Sequence, residues 1–314
     1  MQYYFAPLEG LTDSIYRHLH HKYFPGISRY YTPFFSPTSH QKLSPREQRE
    51  LPPADSLSYD VVPQILTKNA DDFIWMVQQC RDLGYKEVNL NLGCPSGTVT
   101  AKGKGSGILK DLSALDSFLY AIFQNATLDI SVKTRIGFSN SEEFPALLEI
   151  LNRYPIRELT VHPRVRDAFY KGNADMEAFR YAAANSRAPV CYNGNLCTKE
   201  QIAALSKEFP AVTAMMLGRG LIADPGMLTP SGTTAAALEQ FYCELLEEYL
   251  IAFGGSRNAM FRLKENWRYL ICKFEESGNL YKRLRKTTDL SEYRVITREI
   301  FQTLPLRNTL SPDW

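Results

Sequence analysis

Cys94 stands between Gly93 and Pro95, and the stretch from it to Asp111 holds Gly97, Gly103, Gly105 and Gly107 together with Lys102, Lys104 and Lys110. A loop of that length between regular elements is functional or mobile. Its thiol is a candidate nucleophile or proton donor. Without the accompanying His or Asn pattern of a cysteine protease, proton transfer is favoured over covalent hydrolysis. The other cysteines, Cys80, Cys191, Cys197, Cys243 and Cys272, form no Cys-x-x-Cys pair, so no disulfide framework and no metal site is expected. Cys80, Cys191 and Cys272 fall in apolar patterns, which predicts slow thiols. The second chemistry is anion binding. Glycines 194, 218 and 220 let backbone N–H groups approach a phosphate, Arg219 adds charge, and a helix beginning there would add its dipole.

Such groups act only when regular elements hold them. Short β-branched or aromatic runs occur at Tyr3 to Ala6, Arg29 to Thr32, Val61 to Leu66, Glu87 to Asn91, Ile130 to Lys133, Leu159 to Val161, Val190 to Tyr192 and Met215 to Leu217. Between them lie helical patterns such as Phe73, Val77, Cys80 and Leu115, Leu119, Ile122. Eight strand-helix units predict an α/β chain folded as a (β/α)8 TIM barrel, whose chemistry sits at the carboxyl ends of the strands. Those ends are rich in polar groups: Ala6-Pro7-Leu8-Glu9-Gly10, Gln64, Asn89-Leu90-Asn91, Lys133-Thr134-Arg135, His162-Pro163-Arg164, Asn193-Gly194-Asn195 and Gly218-Arg219-Gly220. Any one could be ordinary strand termination; together they mark a site.

After Gly232 only helical periodicity remains, first through Leu238, Tyr242, Leu245, Tyr249 and Phe253, then through Met260, Leu263, Trp267 and Phe274. The breaker-rich stretch Thr229 to Thr233 divides residues 1–232, a catalytic barrel, from 233–314, a small all-helical domain. Charge divides the same way. Residues 257–307 carry 12 Lys/Arg against 6 Asp/Glu, and the rest of the chain 24 against 28. Arg257, Arg262, Lys264, Arg268 and Lys273 on one helix, with Lys282, Arg283, Arg285 and Lys286 in a run, form a candidate surface for nucleic acid. Nowhere do apolar residues continue long enough to cross a bilayer, and the amino terminus has no basic, apolar leader, so a soluble, cytoplasmic protein is expected.

The strand-end motifs, with Tyr170-Lys171-Gly172 and Asn91-Leu92-Gly93-Cys94-Pro95 in this order and spacing, resemble those of the tRNA-dihydrouridine synthases. The likeness runs across nearly the whole chain, with Leu8 where methionine is usual and Pro163-Arg164-Val165 where Gly-Arg-Thr is common. The resemblance implies bound FMN, NADPH as reductant, and reduction of the uracil C5–C6 bond at one position of a tRNA. It implies Cys94 as the acid that gives the proton to C5. Pro7, Leu8 and Glu9 would line the flavin through their backbone, Gln64 and Lys133 would contact its ring system with His162 nearby, and Asn193, Gly194, Asn195, Gly218 and Arg219 would hold its phosphate. Asn91, Arg135 and Tyr170 would grip the uracil. A flavin barrel reducing a free pyrimidine or other small molecule would share the phosphate site and Lys133 but has no use for a basic tail. A silent RNA-binding barrel would have no use for Cys94 and Lys133.

Overall fold

The computed structural model describes residues 1–310. The chain forms two compact units, one of Met1–Pro7, Ser28–Gly194 and Leu205–Met216, the other of Leu8–Ile27, Asn195–Ala204 and Leu217–Trp314.

The first unit contains the sheet of a (β/α)8 barrel. Its strands are β1 (Gln2–Phe5), β2 (Arg29–Tyr31), β3 (Val61–Val62), β4 (Gln64–Ile65), β5 (Glu87–Leu92), β6 (Asp129–Arg135), β7 (Leu159–His162), β8 (Val190–Tyr192) and β9 (Ala214–Leu217). They lie in the order β3-β2-β1-β9-β8-β7-β6-β5-β4. The predicted third strand is two strands because Pro63 has no N–H to give a ladder. Its halves, β3 and β4, stand at the two ends of that order, so chain continuity through Pro63 joins the ends of the sheet. Phe35 N–H donates to Gln64 O and Leu66 N–H to Phe35 O, both at 2.8 Å, which ties β4 to the chain following β2.

Alternation along each strand sorts side chains between the barrel interior and the outer helices. Tyr4, Ala6, Tyr31, Val62, Cys191, Ala214 and Met216 pack together as one buried cluster. The helix Leu112–Asn125 shows the complementary helical period, burying Leu115, Phe118, Leu119 and Ile122 at three- and four-residue spacing. Asp111 caps its start by accepting from Ala114 N–H at 2.9 Å.

The second unit is helical. Asp13 caps the helix Ser14–Tyr23 and also accepts from Tyr249 Oη, on the helix Ala235–Phe253, at 3.0 and 3.1 Å. Ser256–Leu270, Gly278–Lys286 and Leu290–Thr303 follow. Several cations expected at an RNA surface are instead structural here. Lys273 is 5% exposed and gives its ammonium to Asp224 Oδ2 at 2.7 Å. Arg262 donates to the Gly10 carbonyl, and Lys264 to the carbonyls of Arg285 and Thr287. Of that expected row, Arg257 and Arg268 remain solvent-facing. Lys282, Arg283, Arg285 and Lys286 are all exposed, arranged around buried Leu284.

Candidate active site

Strand β5 is buried along its whole length although it alternates polar with apolar residues. Its two asparagines are satisfied by a chain of amides. Gln64 Nε2 donates to Asn89 Oδ1 at 2.8 Å, Asn89 Nδ2 to Ser131 Oγ at 3.0 Å, and Asn91 Nδ2 to Gln64 Oε1 at 2.7 Å. The free end of the chain is Asn91 Oδ1, which accepts the N–H groups of Gly93 at 3.0 Å and Cys94 at 2.9 Å. Asn91 therefore sets the backbone direction of the cysteine.

The other side of Cys94 is held as firmly. Its carbonyl accepts Ser106 N–H at 3.1 Å and Ser106 Oγ–H at 2.8 Å. The glycine-rich stretch is folded, with a short helix Gly97–Thr100 and a tight turn Gly105–Lys110. Gly105 takes φ +56°, and a Cβ there would come 2.9 Å from Cys94 O. Glycine is required at this point by close packing under the cysteine as well as by the left-handed backbone.

Lys133 on β6 pairs directly with Asn91 in the sheet register, so both face the interior. Its ammonium lies within electrostatic reach of Cys94 and Cys191. The side chain is partly accessible at the barrel mouth, yet burial of its head, reinforced by Arg135, lowers its pKa to about 8. Among the described residues none accepts a hydrogen bond from Lys133 Nζ. A desolvated cation without a protein partner is suited to an electron-rich ligand.

Arg135 is 1% exposed. Its Nε donates to Gly93 O and its Nη1 to Val165 O, both at 2.9 Å, and its guanidinium lies 5.4 Å from the Tyr170 ring centroid. Burial lowers its pKa to about 10, with Tyr170 opposing and Arg164 adding to the shift. The fork thus joins the Cys94 loop to the loop after β7, while Tyr170, 45% exposed, stands beside it and 6.1 Å from the His162 ring. Arg164, present in a motif but given no role from sequence, is buried. It donates from Nη2 to Gly172 O at 2.7 Å and lies 3.0 Å from His162 Nε2 through Nη1. Arginine only donates, so His162 Nε2 accepts and its ring proton sits on Nδ1.

The phosphate candidates are divided between the units. In the first, Pro7 ends the segment that contains β1. Asn193 spends its amide on Met216 O at 2.7 Å, bridging the ends of β8 and β9. A side chain at Gly194 would collide with the Tyr192 ring, so local packing alone demands glycine there. In the second unit, Leu8 N–H is bonded to Thr12 Oγ1 at 2.9 Å within its own turn, and Glu9 is exposed. Arg219 Nη2 donates to Asn195 Oδ1 at 2.8 Å. The helix that Gly218 opens spans only Arg219–Ala223, so charge at this point comes chiefly from the arginine.

Residues 4–294 match the family model described as dihydrouridine synthase. The chain belongs to the dihydrouridine synthase family. Curated relatives include a probable tRNA-dihydrouridine synthase of Rickettsia bellii, 31% identical over 47% of this chain and 45% of that one. Another is the probable tRNA-dihydrouridine synthase 1 of Synechocystis, 27% identical over 70% and 61%, and a third is tRNA-dihydrouridine synthase B of Proteus vulgaris, 25% identical over 68% and 65%. The alignments to the Rickettsia relatives span a little under half of their length. Among solved structures, morphinone reductase in complex with tetrahydroNAD aligns with a TM-score of 0.49 and 9% identity over 77% of this chain and 86% of that one.

In this member of the dihydrouridine synthase family the thiols divide more sharply than their sequence neighbours suggest. Cys80, Cys191 and Cys197 are buried, and burial raises each of their pKa values. Cys272, expected to be enclosed, is half-buried, and Cys243 is exposed. The apolar spacing places Cys272 near the second unit's core, but the turn Ile271–Lys273 ends the helix there and turns the residue partly outward. Among the described residues no cluster of His, Cys, Asp or Glu could hold a metal ion, and no helix is long and apolar enough to cross a membrane.

Proposed function

We propose that the protein is a tRNA-dihydrouridine synthase that reduces the C5–C6 bond of one uridine, with FMN as bound cofactor and NADPH as reductant. The observation that carries this reading is a thiol with its backbone fixed from both sides, by Asn91 and by Ser106, within electrostatic reach of a lysine ammonium that has no acceptor among the described residues. The donor set suits FMN: Gln64 and Lys133 would meet the ring system with His162 nearby, Pro7, Leu8 and Glu9 would border it, and Asn193, Gly194, Asn195, Gly218 and Arg219 would hold the phosphate.

FMN held by these residues would supply, when reduced, hydride chemistry to the uracil ring. Cys94 Sγ–H gives its proton to C5, and the thiolate that results is favoured by the Lys133 charge. Arg135 holds the loop that presents the thiol, Tyr170 with Arg135 and Asn91 would border the uracil, and Arg164 holds the His162 ring beside them. A uracil stacked in folded RNA must be turned out to reach such a site. The exposed cations Lys282, Arg283, Arg285 and Lys286 support tRNA binding by residues 233–314, with residues 1–232 doing the chemistry in the cytoplasm. The reading is tested by NADPH consumption that depends on unmodified tRNA and leaves dihydrouridine in it. Consumption that responds to a free pyrimidine or other small molecule and not to tRNA would establish the small-molecule reductase instead.

Lys133 also makes a prediction about pH. Its pKa is lowered to about 8, so the cation is present below that value and lost above it. Affinity of the flavin-free protein for FMN should therefore fall as pH rises through about 8, by up to roughly tenfold per unit. In Lys133→Met the affinity should be weaker and flat over that range. Fluorescence titration with FMN measures both, and a pH slope that survives the substitution would assign the titration to another group.

A further inference from the structure

The loop after β7 carries a second aromatic beside Tyr170, and it is oriented away from that residue's partners. Phe169 is 41% exposed and adopts φ +50°, a left-handed conformation that a bulky side chain rarely takes. The turn itself is closed by Phe169 N–H to Arg166 O at 3.0 Å and Lys171 N–H to Ala168 O at 2.8 Å. Glycine or asparagine would meet that backbone demand at lower cost, so the turn alone gives no reason for phenylalanine.

What surrounds the ring does give one. The Arg166 guanidinium carbon lies 4.8 Å from the Phe169 centroid and 5.2 Å from that of Phe138, and Lys110 Nζ lies 4.1 Å from the Phe138 centroid. Cation and ring alternate in a row, Lys110, Phe138, Arg166, Phe169. Arg166 is fixed by Asp167 Oδ1 at 3.0 Å and Thr100 Oγ1 at 3.2 Å, the latter on the Cys94 loop. The acids beside the row are already occupied. Asp167 Oδ2 accepts from Ser139 Oγ, and Glu143 accepts the N–H groups of Phe138, Ser139 and Asn140. Lys110 and Lys171 are exposed on the same unit. Arg166 is thus paired with Asp167, and what the surface presents is an accessible aromatic face with the exposed cations Lys110 and Lys171, a combination that complements the bases and phosphates of a single strand.

We propose that Phe169 is a stacking platform for an unpaired base next to the target uridine, its ring backed by Arg166 and with Lys110 lying against an adjoining phosphate. This rests on the tRNA reading above and adds to it a positioning residue one step along the chain from Tyr170. Whereas Tyr170 is turned toward Arg135 and His162, Phe169 is turned toward Arg166, so consecutive nucleotides would meet consecutive aromatics.

The experiment uses the full-length flavin-loaded protein and an unmodified tRNA transcript. Phe169→Leu keeps an apolar side chain and removes the π face; its Kd and KM for tRNA should rise roughly 5- to 100-fold, the range for losing one stacked base. kcat at saturating tRNA, FMN content and reduction by NADPH without RNA should be unchanged, and Phe169→Trp should bind like wild type. Phe169→Gly relieves the backbone, so it should melt no lower than wild type while binding tRNA as weakly as the leucine variant. Wild-type binding by the leucine and glycine variants would overturn the proposal, as would weak binding by the tryptophan variant. The tRNA reading fails separately, at the wild-type protein, if no dihydrouridine forms there.

Discussion

Cys94→Ala should keep the fold, the FMN and normal reduction by NADPH, and then stall when tRNA arrives. In the proposed reaction no step before the RNA binds needs an acid at this position. The backbone that holds the residue is independent of its sulfur, because Asn91 accepts the Cys94 N–H and Ser106 donates to the Cys94 carbonyl. Removal of the thiol therefore isolates proton transfer from loop structure. Oxidation of prereduced enzyme by tRNA should slow roughly 100- to 10,000-fold, the usual consequence of losing a positioned general acid. Cys94→Ser should be nearly as slow, since an alcohol is a far weaker acid than a thiol in the same place. Single-turnover oxidation by unmodified tRNA measures this directly, and dihydrouridine formed at the wild-type rate by Cys94→Ala would return the residue to a packing role. Alkylation alone cannot make the same distinction, because Cys243 is the more exposed thiol. Protection by bound tRNA is what should single out Cys94.

The barrel was legible because each strand is a short run that alternates or stays apolar, separated from the next by a helical period, and that pattern survives any detail of packing. Pro63 could have been read as a break in the third strand, since the missing N–H is a property of the residue itself. The amide chain from Gln64 through Asn91 to Cys94 could not, because it depends on which strands are neighbours. Arg164 was visible as a letter in a motif, but its burial and its hold on His162 and Gly172 follow from tertiary placement. The same limit explains Lys273. Spacing put it on a basic helix face, yet Asp224, 49 residues earlier, draws it into a buried ion pair. The glycine-rich loop looked mobile by composition, whereas its glycines at least partly serve close packing, as Gly105 does under Cys94.

Arg135 shows how a residue expected to grip the uracil can matter through the protein as well. Its guanidinium reaches two carbonyls on two loops, Gly93 O from Nε and Val165 O from Nη1, and a lysine has all its donors on one atom and cannot reproduce that spread. Arg135→Lys keeps a positive charge near Tyr170 but releases at least one loop, and the loop at Gly93 is the one that places the Cys94 thiol. A displacement of about 1 Å at a reacting group costs on the order of 100-fold, so proton transfer to C5 should slow by about that factor. FMN content should be retained and reduction by NADPH nearly unchanged, because Lys133 and the residues proposed to hold the phosphate are untouched. If Arg135 served only to bind uracil, Arg135→Lys would raise KM for tRNA and leave single-turnover oxidation at saturating tRNA at the wild-type rate. A lowered saturated rate, together with an altered alkylation rate of Cys94 in the RNA-free protein, places its effect on the acid itself.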